Sequence, residues 1–151
     1  MTFATDVGTT RIAVDSDGLK FGTDTASANA LDDYEEGTYS VTDQSGAGLS
    51  FTVNSNRYVK IGKLVWIGIE LVFPTTSDTN IVYISLPFAQ NTAQRASLSC
   101  VTNRSDVTVQ GYASTGTARL GIIESAASPV NVTNPSLSGK YVIIGGVYEA
   151  A

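Results

Sequence analysis

The chain has 151 residues and a mass of 15.8 kDa, enough for one domain with a sizeable core. It holds no histidine and single copies of cysteine (Cys100), methionine (Met1) and tryptophan (Trp66), which excludes Ser–His triads, histidine-rich metal sites, zinc–cysteine knuckles and intramolecular disulfides. Charged residues make up 15% of it, against roughly a quarter in a typical soluble domain, while 16 serines and 18 threonines give a hydroxyl-rich surface and 9 basic against 14 acidic residues leave a net charge of −5. The cations are scattered, so nucleic acid is not an expected partner.

Residues 1–30 are short of large apolar side chains and punctuated by glycines, which predicts short strands without a core of their own. Asp17-Gly18, between RIAV and LKF, is a hairpin signal, and Phe21-Gly22 ends that small element. The first residues have neither a basic stretch nor a continuous apolar run, and no segment approaches eighteen apolar residues. Neither a secretory signal nor membrane insertion is expected. Residues 26–31 read as a helical turn leading into the acidic run Asp32, Asp33, Glu35 and Glu36.

From Gly37 onward the pattern is a series of short strands at 38–42, 49–53, 57–61, 63–73, 81–86, 94–102, 107–112, 118–125 and 140–148. Turn residues separate them, among them 45–48, 54–56 and the hairpin Gly62-Lys63. The clearest strand sets Val65, Ile67, Ile69, Leu71 and Phe73 on one face and Leu64, Trp66, Gly68, Glu70 and Val72 on the other. Residues 126–139, with two prolines, read as an exposed loop. The final strand is apolar on both faces, so it lies centrally under a second sheet or is covered by another subunit. The fold class expected is all-β, an antiparallel sandwich or jelly-roll-like knob with a short N-terminal β arm. Residues 1–36 form the arm and acidic junction, and 37–151 the knob.

Candidate chemistry is sparse. Asp32, Asp33, Glu35 and Glu36 lack the spacing of a calcium loop or of carboxylates facing across a cleft, and read as a solvated run. Asp15-Ser16-Asp17-Gly18 opens like a calcium loop but has Asp24 where the loop requires glutamate. Cys100, within an alternating strand, reads as a small buried side chain. The sequons at Asn103 and Asn131 read as chance in a chain so rich in Ser and Thr. Trp66 and the seven tyrosines read as core or interface packing ahead of a sugar-binding surface. Nothing pairs a nucleophile with a base, so no catalytic residue, metal or cofactor is expected.

The segment LKFGTDTASANALDDYEEGTYSVT resembles a junction common in bacteriophage tail-fibre and related virion appendage proteins, especially of marine and cyanobacterial phages. There a GLKF-type strand, here Gly18 to Phe21, precedes an LDDYEEGT signature, here Leu31 to Thr38, and an aromatic residue, here Tyr39. Tyr58-Val59-Lys60-Ile61-Gly62-Lys63-Leu64-Val65 and Ile84-Ser85-Leu86-Pro87-Phe88 are similar to further family strands, and Thr10-Arg11-Ile12 less specifically to stem strands. The resemblance covers about residues 9–90. It implies a homotrimer on the virion surface, assembled in the host cytoplasm, with a β-rich knob in each subunit.

Thirty residues before the junction make a collar or arm, not a shaft. If Met1 is the natural start, the arm attaches the protein to the major capsid protein or a tail component by strand addition. A capsid decoration or cement protein is the first expectation, with a receptor-binding fibre tip, recognising a host-surface glycan or protein, as the alternative; a polysaccharide-degrading enzyme ranks last. Trimer or attachment contacts are placed at Leu31, Tyr34, Ile143 and Val147. Exposed binding loops are placed at Thr76, Asp78, Asn103, Asn131 and Asn134.

Overall fold

The computed structural model describes residues 2–6, 9–27, 30–126 and 128–151, with side chains from Ile12 onward. The protein is all-β and antiparallel. Three N-terminal strands, β1 (Thr2–Asp6), β2 (Thr9–Asp15) and β3 (Gly18–Phe21), form a small sheet in that order. The Ser16-Asp17 turn joins β2 to β3 as Asp17-Gly18 predicts, and Gly18 is required there. Its φ is +124°, and a Cβ would lie 2.8 Å from the Leu31 carbonyl oxygen. Of the expected turn at 26–31, residues 28 and 29 lie outside the described residues, and the Ala30 N–H donates to the Ser27 carbonyl. Leu31 then exchanges backbone hydrogen bonds with Leu19, tying the junction to the hairpin.

The second sheet has nine strands. They are β4 (Tyr34–Thr38), β5 (Thr52–Ile61), β6 (Leu64–Val72), β7 (Tyr83–Ser85), β8 (Ala96–Thr102), β9 (Val109–Ala113), β10 (Arg119–Glu124), β11 (Val130–Asn131) and β12 (Tyr141–Glu149). Their order is β11-β10-β9-β8-β12-β6-β5-β4, and β7 shares one edge of β10 with β11. Residues 39–44 draw the extremes of this path together. The Tyr39 N–H donates to the Asn56 carbonyl on β5 (3.3 Å), while Gln44 and Thr42 bond to Tyr83 and Ser85 on β7 (2.9 and 3.0 Å). The sheet therefore curls around one core. Val65, Ile67, Ile69 and Leu71 of β6, Val142 and Ile144 of β12, Leu98 of β8, and Leu120 and Ile122 of β10 all belong to it.

The period-two reading of 63–73 holds, and the Gly62-Lys63 turn joins β5 to β6 with Gly62 at φ +57°. Three expectations need correction. Residues 54–56 are not a turn but part of β5, which absorbs them with a bulge between Val53 and Ser55. The first strand of the large sheet is Tyr34–Thr38, so the boundary expected after residue 36 falls inside β4. Residues 126–139 are not simply an exposed loop: Val130–Asn131 pairs with β10, and Asn134–Leu137 makes a 3-10 turn begun by Pro135. Val132, Asn134 and Leu137 are buried there. The final strand is central, between β6 and β8, and among the described residues no second layer covers its outer face, which leaves the expectation of cover by another subunit. Among the described residues no helix is long and apolar enough to cross a membrane.

Candidate functional site

Strand alternation that sends Val65, Ile67, Val142 and Ile144 inward necessarily sends their neighbours out. The register then lines those neighbours up in rows across five strands. Tyr34, Ile61 and Leu64 face one another across β4, β5 and β6; Val59, Trp66 and Val147 across β5, β6 and β12; and Glu70, Ile143 and Val101 across β6, β12 and β8. This face is apolar and open: Tyr34 is 60% exposed, Leu64 55%, Trp66 44%, and Val101, Tyr141, Ile143 and Val147 are comparable. Together these side chains present on the order of 700 Å² to solvent, close to one partner's share, about 800 Å², of a standard protein–protein interface. The largest apolar patch on a typical monomer is about 300–600 Å².

Between the rows, Gly68 and Gly145 pair across β6 and β12. Trp66 overlies Gly68, where a Cβ would come within 2.8 Å of the indole, and a Cβ at Gly145 would meet only a backbone oxygen at 3.7 Å. The face is thus a shallow trough with a backbone floor. At its β4 edge the trough widens into an open groove of about 490 Å³ lined by Glu36, Thr38, Arg57, Val59 and Trp66.

Three of the four expected contact residues, Tyr34, Ile143 and Val147, stand on this one face. Leu31 is exposed but belongs to the junction, bridged to Leu19 of the small sheet. The residues that sequence reasoning did not single out as contacts are Ile61, Leu64, Trp66 and Val101. For Leu64 and Trp66 the signal was present in the outward half of the alternation of 63–73.

The expected binding loops divide. Asn103 and Asn131 are exposed, but each has a structural bond: the Asn103 Oδ1 accepts from the Tyr141 N–H (3.1 Å), and the Asn131 Oδ1 accepts from the Tyr112 hydroxyl (3.2 Å). Asn131 lies on β11 rather than in a loop. Thr76 and Asp78 are half-buried and tied down by hydrogen bonds, with the Thr76 N–H donating to Ser138 Oγ and the Asp78 N–H to Thr76 Oγ1. Asn134 is a correction, because it is 1% exposed and cannot meet a ligand. Its Nδ2 donates to Ser45 Oγ (3.0 Å) and Asp78 Oδ1 (2.8 Å), clamping three chain segments together.

In the acidic run Asp33, Glu35 and Glu36 are likewise committed to neighbours. Lys60 lies opposite Glu35 and pairs with Asp33 and with Glu35 (3.8 Å to the latter), while the Tyr34 hydroxyl donates to Glu36. Alternation along β4 puts Glu35 and Glu36 on opposite faces, so the run is not one acid pair. In the N-terminal sheet the Lys20 ammonium sits between Asp17 (2.6 Å) and Asp15 (3.0 Å), where a calcium loop would place its ion. Hydrogen bonds from the Asp17 N–H and then Lys20 hold the Asp15 carboxyl below its ordinary value, and Asp17 and Asp15 raise Lys20. Cys100 is buried, and burial pushes its thiol up to about 12.

Comparison of the chain with protein families, with characterised proteins and with solved structures finds no significant match. The site is therefore read from its own geometry.

Proposed function

We propose that this chain is a structural protein of the bacteriophage virion surface, a short trimeric accessory whose β-sandwich knob decorates or cements the capsid through its N-terminal arm. The observation that carries the reading is the apolar outer face of β4, β5, β6, β12 and β8. A patch of this size on a chain otherwise rich in Ser and Thr is hidden in the working particle, and self-association around a threefold axis hides it once per subunit. The small sheet β1–β3, which lies outside the large one, is the part free to engage a capsid neighbour by strand addition. The protein acts by binding rather than by catalysis, its acidic run serving the β4–β5 pairing through Lys60.

A second reading, a tail-fibre or short-fibre tip that binds a host receptor, draws on the polar surface of β7–β10, which adjoins the apolar face along β8. Gold-tagged antibody on intact virions separates the two. Label over the head supports decoration, label at the tail supports the tip, and unlabelled particles overturn both. Light scattering on the purified chain tests the assembly, which a single-chain mass at micromolar concentration overturns.

A further inference from the structure

The outward positions of β7–β10 carry a surface of different chemistry. Register sets Ser97, Tyr112, Gly121 and Tyr83 in one row across four strands. Gly121 makes the row possible: a Cβ there would lie 2.4 Å from the Tyr112 ring, so the ring lies over the glycine and its hydroxyl reaches Asn131. One step along the strands, Arg95 stands just before β8 and Arg119 within β10, both exposed and on the same outward face. The Arg95 guanidinium is 5.1 Å from the Tyr112 ring centre, and that of Arg119 is 5.8 Å from the Tyr83 ring centre. Two strand spacings, about 10 Å, separate the two positions.

These cations differ from Lys20, Lys60 and Arg104, each of which sits against carboxylates. In a chain of net charge −5, no Asp or Glu occupies an outward position of β7, β8, β9 or β10. The nearest acids along the chain, Asp106 and Glu124, are both taken by Arg104. Around the arginines stand exposed hydroxyl and amide side chains, Ser97, Ser99, Gln110 and Asn131.

We propose that this face binds an acidic polysaccharide, Arg95 and Arg119 each taking an anionic group of one sugar chain while the surrounding hydroxyls and amides exchange hydrogen bonds with its sugar hydroxyls. A guanidinium held over a phenol ring is oriented in advance and matches a carboxylate with two parallel bonds. A flat strand surface suits an extended polymer. Two cations are too few for the roughly 6–10 phosphate contacts that hold nucleic acid, and the scarcity of exposed apolar side chains leaves little for a protein partner to bury. The inference deepens the receptor-binding reading and rests on it only for the kind of ligand.

The test is calorimetric titration of the full chain at low salt with alginate oligomers, using dextran of equal length as the uncharged control. The wild type binds alginate and not dextran, added salt weakens the binding, Arg95→Gln and Arg119→Gln each lower affinity about tenfold, and the double variant abolishes it with an unchanged circular dichroism spectrum. Arg119→Lys keeps the charge and loses the fork, so it falls between. Failure of the wild type to bind alginate, or equal binding by the double variant, overturns the proposal. A double variant that changes assembled mass while the wild type ignores alginate overturns it in favour of a contact between copies. Alginate binding through these arginines, in a protein that gold labelling does not find on the virion, upholds the site and removes the virion reading.

Discussion

Replacing Ile143 by lysine perturbs the separate chain and the proposed assembly in opposite directions. In the separate chain residue 143 points to solvent from β12, directly across from Glu70 of β6, so an ammonium there gains a cross-strand partner of about 0.2–1 kcal/mol. In an assembly that covers the face, the change removes the apolar surface Ile143 still offers. At 43% exposed, that is about 1 kcal/mol of burial. The ammonium must also be desolvated, at an effective cost of several kcal/mol. A combined loss of about 4–5 kcal/mol per contact weakens association by roughly a thousandfold or more. Ile143→Ala, which loses only the apolar part, weakens it by roughly fivefold to tenfold. Sedimentation equilibrium over a wide concentration range reads both, and urea denaturation checks that the folded chain keeps its stability. A lysine variant that assembles as tightly as the wild type refutes the role of this face.

Three further outcomes follow from the bonds described. Asp15 has a depressed folded-state pKa, so its contribution is present above its ordinary value of 3.8 and is lost as pH falls through the lower folded value. Lys20 has a raised one, so its contribution is present below 10.5 and is lost as pH rises through the higher folded value. Amide protection in β2 and β3, corrected for the intrinsic pH dependence of exchange, is therefore greatest between these limits, and protection that stays constant as the carboxylate is titrated in acid contradicts the ion-pair account. Asn134→Asp removes both side-chain donors and sets a carboxylate beside Asp78. It costs about 2–4 kcal/mol, read as a lower denaturation midpoint, and an unchanged midpoint sinks the clamp. Cys100 resists maleimide in the folded protein and reacts on denaturation, since burial keeps it as a thiol; rapid labelling of the native chain contradicts its placement.

Much of the fold was legible because period-two alternation is local. Residues 63–73 carried both their core face and their outer face in sequence, and Asp17-Gly18 and Gly62-Lys63 carried their turns. What escaped depends on distant partners. Asn54, Ser55 and Asn56 have the composition of a turn, yet nine-residue pairing with β6 and Asn56 bonding to Tyr39 hold them in a strand. The acidic run looks solvated until β5 sets Lys60 against it. Asn134 looked exposed among prolines and serines, and only Ser45 and Asp78, both far away along the chain, explain its burial. Ile143 and Val147 were found because the final strand is apolar on both faces, and Tyr34 through the junction, but that they share one face with Trp66 and Leu64 is a statement of register, which no single strand contains.

The two surfaces impose different demands on an assembly. β8 belongs to both, giving Val101 to the apolar face near its C-terminal end while Arg95 precedes its start, so one strand runs from the contact region to the ligand-facing region. In the proposed trimer, subunits joined through Trp66, Ile143 and Val147 would turn their β7–β10 faces outward, and three copies would present six guanidiniums around the particle. Each copy alone holds a sugar chain through only two charged contacts, which is weak. Linked copies convert later contacts into intramolecular ones, and avidity gains of about a hundredfold or more require no new bond. Ile143→Lys should therefore lower the apparent affinity for long alginate chains while leaving that for short oligomers unchanged, and equal losses for both lengths would show that the two faces are not coupled in this way.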